Sequence, residues 1–211
     1  MAIHPFGKTL GERQVENVAF VHVARVDPVD VLVHWNVDPA HAERVVKLDL
    51  LKIVDYPGKR RGLVRFFNTN RFKFAFVEID PGVVFVVAGL HATQLAVLQA
   101  VLDKVRAWCK KNVDPKAFFA GYGTERAIVE EMLQSALPDL VREAVTDDVR
   151  WLRVKCKGCG EDLDLAVPKR VVEEANRLPC LFVYLHGDHA LQVYLDRNFA
   201  VRAAEVANFS W

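Results

Sequence analysis

Two short stretches limit how the C-terminal part of this chain can fold. Cys156 and Cys159 stand two residues apart, with Gly158 between them and Gly160 just after, and further on come His186, Gly187, Asp188 and His189. A turn that points two thiolates at one ion needs backbone amides facing the sulfurs, and glycines supply the positive φ that such a turn demands. Before the turn, Trp151 and Arg153 alternate with Leu152 and Val154, and residues 163–167 read as the returning strand. A redox CxxC would instead follow a strand and open a helix. Leu181, Val183 and Leu185 alternate with Phe182, Tyr184 and His186, and Leu191, Val193 and Leu195 alternate with Gln192, Tyr194 and Asp196. The two residues between these runs begin with glycine, which fits a type II′ hairpin. In that hairpin His186 and His189 oppose each other with side chains on one face, about 5 Å apart at Cβ. Cys156, Cys159, His186 and His189 then make a tetrahedral Cys2His2 set, and zinc is the ion that such a set suits.

The same residues admit other states. Cys156 and Cys159 can form a disulfide or stay as free thiols, and Cys180 is a rival third ligand. The region resembles a zinc ribbon or treble-clef-like knuckle in which histidines replace the second cysteine pair. A short helix over 168–177, with Val171, Val172 and Ala175 turned inward, completes an expected small β-rich domain at 150–211. His186, Asp188 and His189 also match the end of the HxHxDH motif of metallo-β-lactamase-fold hydrolases. That resemblance implies a zinc-dependent hydrolase with Asp188 as the adjacent carboxylate base. Tyr184 occupies the position of the motif's first histidine, however, and an open catalytic site needs three protein ligands plus water.

The rest of the 211 residues reads as another unit. Hydrophobic residues make up 52% and charged residues 26%, enough for two cores. Residues 1–14 read as a loose arm. Residues 15–26 are a β-branched run, and Val29, Val31, Val33 and Trp35 alternate as a second strand. Asp38 and Pro39 open a helix running to about Val54, with Ala42, Val45, Val46 and Leu50 on its apolar face. Strands follow at 63–67, at Phe72, Phe74 and Phe76, and at 83–88, separated by turns at Asn68–Asn70 and Asp80–Gly82. Leu95, Leu98, Val101, Leu102, Val105 and Trp108 then recur at helical spacing, with Cys109 packed at the edge of that face. The expected fold class is α+β, a five-stranded antiparallel sheet with helices.

This order, with a hairpin over 71–89 followed by a long helix, resembles the longin/roadblock class of profilin-like domains over residues 15–112. The resemblance implies a non-catalytic interaction module that dimerises by edge or helix pairing. Its partner would be a protein, such as a small GTPase or a cytoskeletal or trafficking factor.

Residues 113–149 read as a helical connector. Gly121 and Gly123 lack the preceding strand that a phosphate loop requires. Ile128, Val129, Met132, Leu133, Leu137, Leu140 and Val141 form a stripe that is either packed or offered to a partner. The net charge of +1 disfavours a zinc-containing nucleic-acid-binding protein, and Lys59, Arg60 and Arg61 read as a solvated loop. No basic region followed by an apolar run opens the sequence, and no stretch has the length of a membrane span, so a cytoplasmic protein is expected. Abundant valine and scarce glutamine fit a thermophile.

Overall fold

The computed structural model describes residues 10–26, 29–36, 62–80, 83–114, 124–187 and 189–208. The expected helix at 38–54, the basic run at 59–61 and the glycines at 121 and 123 lie outside the described residues. The chain divides into two compact units, residues 1–146 and 147–211. The fold is α+β.

In the first unit, α1 (Leu10–Glu16) leads into β1 (Val18–Val26), β2 (Val29–Asn36), β3 (Arg65–Asn68), β4 (Phe72–Asp80) and β5 (Val83–Leu90). The strands form one antiparallel sheet in the order β2-β1-β5-β4-β3. Helix α1 replaces the loose arm from Leu10 onward, and it buries Gly11 and Gln14.

The central strands are almost wholly apolar because both of their faces are buried. On one face Phe20, Phe72, Phe74 and Phe76 form an aromatic cluster with Val84 and Val86. Phe74 stacks on Phe67 with centroids 4.3 Å apart and meets Phe20 edge-on at 5.9 Å. On the other face lie Val21, Val23, Ala75, Val77, Phe85 and Val87, also buried. At the end of β5, Gly89 lies so close to Thr93 that an added Cβ would fall 2.5 Å from its Oγ1. Thr93 in turn donates to the carbonyl of Asn17, which ties this turn to the start of β1.

Helix α2 (Leu95–Asn112) packs on β4 and β5 and buries Val97, Leu98, Val101, Leu102, Val105 and Cys109. Burial pushes the Cys109 thiol up to about 12, so it packs as an inert group. Helix α3 (Thr124–Thr146) packs against α2, α1 and β2. Its stripe divides: Leu133, Leu137, Leu140 and Val141 are buried, whereas Ile128 and Met132 stay exposed. These two residues and Trp108 line an open cavity of about 500 Å³. No helix among the described residues is long and apolar enough to cross a membrane.

The second unit contains β6 (Val149–Lys155), β7 (Asp162–Pro168), α4 (Lys169–Glu173), β8 (Cys180–His186), β9 (His189–Leu195) and β10 (Val201–Asn208). β6 and β7 pair as one antiparallel hairpin, and β10-β9-β8 form a three-stranded sheet. Val154, Leu165, Val167, Leu191, Val193 and Leu195 make the shared core. Helix α4 is shorter than expected. Val172 is buried while Val171 is exposed, and the helix ends where the Ala175 amide turns back to Val172.

Candidate metal centre

The β6–β7 hairpin builds one half of the site. Its register runs without a break to Lys155 opposite Asp162, so Cys156 leaves β6 at the mouth of the turn. The turn is closed by the Cys156 amide donating to the Glu161 carbonyl and by the Gly160 amide donating to the Cys156 carbonyl, both at 2.8 Å. Gly160 has φ of +80°, as the sequence pattern requires. This turn sinks the Cys156 side chain into the core cluster and leaves Cys159 exposed.

The β8–β9 hairpin brings the other half. His186 and His189 are backbone partners across the turn, and Gly187 has φ of +60°, the sign that the first central position of a II′ turn needs. His189 is buried, and its Nε2 lies 3.1 Å from the Cys156 Sγ. One ligand atom from each of Cys156, Cys159 and His189 falls within 4.8 Å of the others. The side chain of His186, and Asp188, lie outside the described residues.

These three groups fit a metal ion. In a tetrahedral zinc site, metal–sulfur and metal–nitrogen bonds of about 2.3 and 2.0–2.1 Å set the ligand atoms about 3.5–3.8 Å apart. The Cys156–His189 contact and the 4.8 Å bound are close to that scale. The thiols are also prepared for the role. The Cys156 thiol is lowered to about 7, chiefly because the Cys159 amide donates to its sulfur. Burial opposes this, and hydrogen bonds from His189, Gly158 and Cys159 reinforce it. For Cys159 the largest single influence is the Glu161 amide, which favours the thiolate. Local desolvation of the sulfur, the hydrogen bond to Cys156 and the nearby charges of Cys156 and Glu161 outweigh it, and its pKa is raised. A metal relieves that competition by accepting both sulfurs as thiolates. No disulfide joins any of the four cysteines.

Cys180 is not part of this group. It opens β8 and pairs with Leu195, six residues along the strand from His186, or ~20 Å at the usual strand rise. Its sulfur turns to the Arg177 carbonyl.

Sequence reasoning did not identify the packing role of Gly158. An added Cβ there would lie 3.2 Å from the His189 Nε2 and 3.3 Å from a methyl of Val206 in β10. Gly158 thus lets the turn close onto the imidazole. We expect Gly158→Ala to displace His189 and weaken metal binding about 10- to 100-fold, the range for residues that orient a metal ligand. Competition with a chromogenic chelator measures this, and an unchanged affinity would remove Gly158 from the site.

A second histidine pair was also missed. His22 and His34 are cross-strand partners in β1 and β2, with His34 Nδ1 2.8 Å from His22 Nε2. Burial, and then the charge of His34, lower His22 to about 3, and burial lowers His34. Their remaining nitrogens, His22 Nδ1 and His34 Nε2, have no hydrogen-bond partner among the described residues. The signal was two histidines at matched positions of a hairpin otherwise rich in valine.

No protein-family model matches the chain, and no curated protein matches it.

Proposed function

We propose that the chain is a non-catalytic protein–protein interaction module, an adaptor, regulator or assembly subunit, whose second unit is stapled by a structural zinc ion. The observation that carries the staple is the convergence of Cys156, Cys159 and His189 from two hairpins. His186 is the fourth ligand in this reading, since it opposes His189 across the turn. Zinc bound to two thiolates and two imidazoles is coordinatively closed and serves the fold. The burial of Cys156 within the core cluster supports a structural role, because that sulfur faces packed side chains.

The interaction role rests on the resemblance of residues 15–112 to longin/roadblock domains. The five-stranded antiparallel sheet and the β4–β5 hairpin followed by α2 are the features on which that resemblance stands. The partner would be a small GTPase or a cytoskeletal or trafficking protein. Affinity capture from native extract with zinc-loaded protein is expected to retain a specific partner, and loss of that partner on chelation would tie the staple to the interaction. Zinc-dependent esterase or phosphodiesterase turnover that His189→Ala abolishes would overturn the reading in favour of a hydrolase.

A further inference from the structure

Strand β8 lies at the edge of its sheet, paired with β9 on one side and with no strand among the described residues on the other. Its even-numbered residues Phe182 and Tyr184 pack onto the core of the second unit, and the Tyr184 hydroxyl donates to the Ala166 carbonyl. Its odd-numbered residues face outward: Leu181 is 50% exposed, Val183 52% and Leu185 81%. An antiparallel sheet with one face on a core normally presents polar residues on the other. An edge strand with large aliphatic side chains and no charge favours pairing with another strand, whose cross-strand side chains shield part of that surface.

Charge separates β8 from every other edge strand of the described sheets. β2 carries Asp30, β3 Arg65, β6 Arg150 and Arg153, β7 Asp162 and Asp164, and β10 Arg202 and Glu205. Charged edges resist pairing with another chain. β8 has no acidic residue, lysine, arginine, proline or glycine. Its sequence is also symmetric about its centre: on either side of Val183 come the aromatic residues Phe182 and Tyr184, then Leu181 and Leu185.

We propose that β8 pairs antiparallel with β8 of a second copy of this chain, about a two-fold axis at Val183, joining two three-stranded sheets into one of six strands. The symmetry argues for a second copy over a foreign strand. A two-fold contact is self-complementary by construction. In this register residue 181 opposes residue 185 of the second copy, aliphatic against aliphatic, and 182 opposes 184, aromatic against aromatic. The inference rests on the reading of the chain as an interaction module and names one surface and its occupant.

Sedimentation velocity of the full, zinc-loaded chain across a wide concentration range tests it. The unaltered protein is expected to sediment as a dimer. Leu181→Lys with Leu185→Lys places like charges opposite each other and is expected to weaken the dimer at least ~100-fold. Leu181→Glu with Leu185→Lys places opposite charges across the same interface and is expected to restore it. Within one strand these positions lie ~13 Å apart, so the rescue is intermolecular. Far-UV circular dichroism and zinc content establish that the variants are folded, and the single Leu185→Lys variant at the most exposed site replaces any double variant that is not. A monomer at all concentrations, or open-ended aggregation, overturns the proposal. A dimer that both double variants retain also overturns it, by placing the interface elsewhere, and leaves the interaction-module reading intact. Zinc-dependent hydrolysis with no captured partner is the separate result that defeats that reading.

Discussion

Cys156→Ser is expected to abolish stoichiometric metal binding and to loosen the second unit while the first unit unfolds as before. Cys156 is the most committed member of the site. Its sulfur is buried in the core cluster with Val154 and Leu191, lies 3.1 Å from the His189 imidazole and receives the Cys159 amide. A serine hydroxyl fills the space but is a poor zinc ligand, since it does not ionise at neutral pH. Losing a direct ligand exceeds the 10- to 100-fold range seen for supporting residues, so affinity should fall by more than ~100-fold. Metal binding and folding are linked, so the β6–β7 turn and the β8–β9 hairpin should lose their tie together. Hydrogen exchange resolved by segment measures this, with faster exchange across 149–168 and 180–195 and unchanged exchange across β1, β4 and β5. Cys180→Ser is the control. It should leave metal binding unaltered because that thiol sits at the far end of β8. Equal loss in both variants would contradict the assignment of ligands.

Phe74→Ala is expected to lower the stability of the first unit by about 3–5 kcal/mol, the usual cost of removing a fully buried aromatic side chain. Phe74 is completely buried at the centre of the cluster and contacts Phe67, Phe20 and Phe72. The cavity would open within the aromatic cluster around Phe20, Phe67 and Phe72, whose close packing limits how far it can collapse. Urea unfolding followed by far-UV circular dichroism checks the value. Leu63→Ala, at a site 54% exposed, should change stability by less than ~0.5 kcal/mol. Similar losses in the two variants would mean that the aromatic face is not the core of this unit.

The parts of the fold that were legible in the sequence depend on local pattern. The runs in β1 and β5 are dense in valine because those strands are buried on both faces, and β4 was marked by the alternation of Phe72, Phe74 and Phe76. The spacing of Leu98, Val101, Leu102 and Val105 marked the buried face of α2. The turn at Cys156–Gly160 was legible because its glycines have few alternative uses.

What could not be read depends on which surfaces meet. Alternation in β8 divides its residues between two faces but does not say which face is inward. The aromatic pair went in because Phe182 and Tyr184 bury more area and Tyr184 finds the Ala166 carbonyl. The aliphatic residues were left outside. Gly158 looked like turn chemistry alone. Its closeness to His189 and Val206 arises only when the β6–β7 turn meets β9 and β10, which are distant from it in sequence. The His22–His34 pair was masked because His34 sat in an alternation as an ordinary polar position and His22 lay inside a β-branched run. Leu10 to Gln14 read as an arm because Gly11 disfavours a helix, whereas burial of that glycine against the unit outweighs its propensity.

Metal analysis of the purified protein combined with zinc-edge X-ray absorption tests the metal staple itself. About one zinc per chain is expected, with two sulfurs at about 2.3 Å and two nitrogens at about 2.0–2.1 Å. A protein prepared without chelator that carries no metal, retains no added zinc and titrates Cys156 and Cys159 as two independent thiols would contradict it.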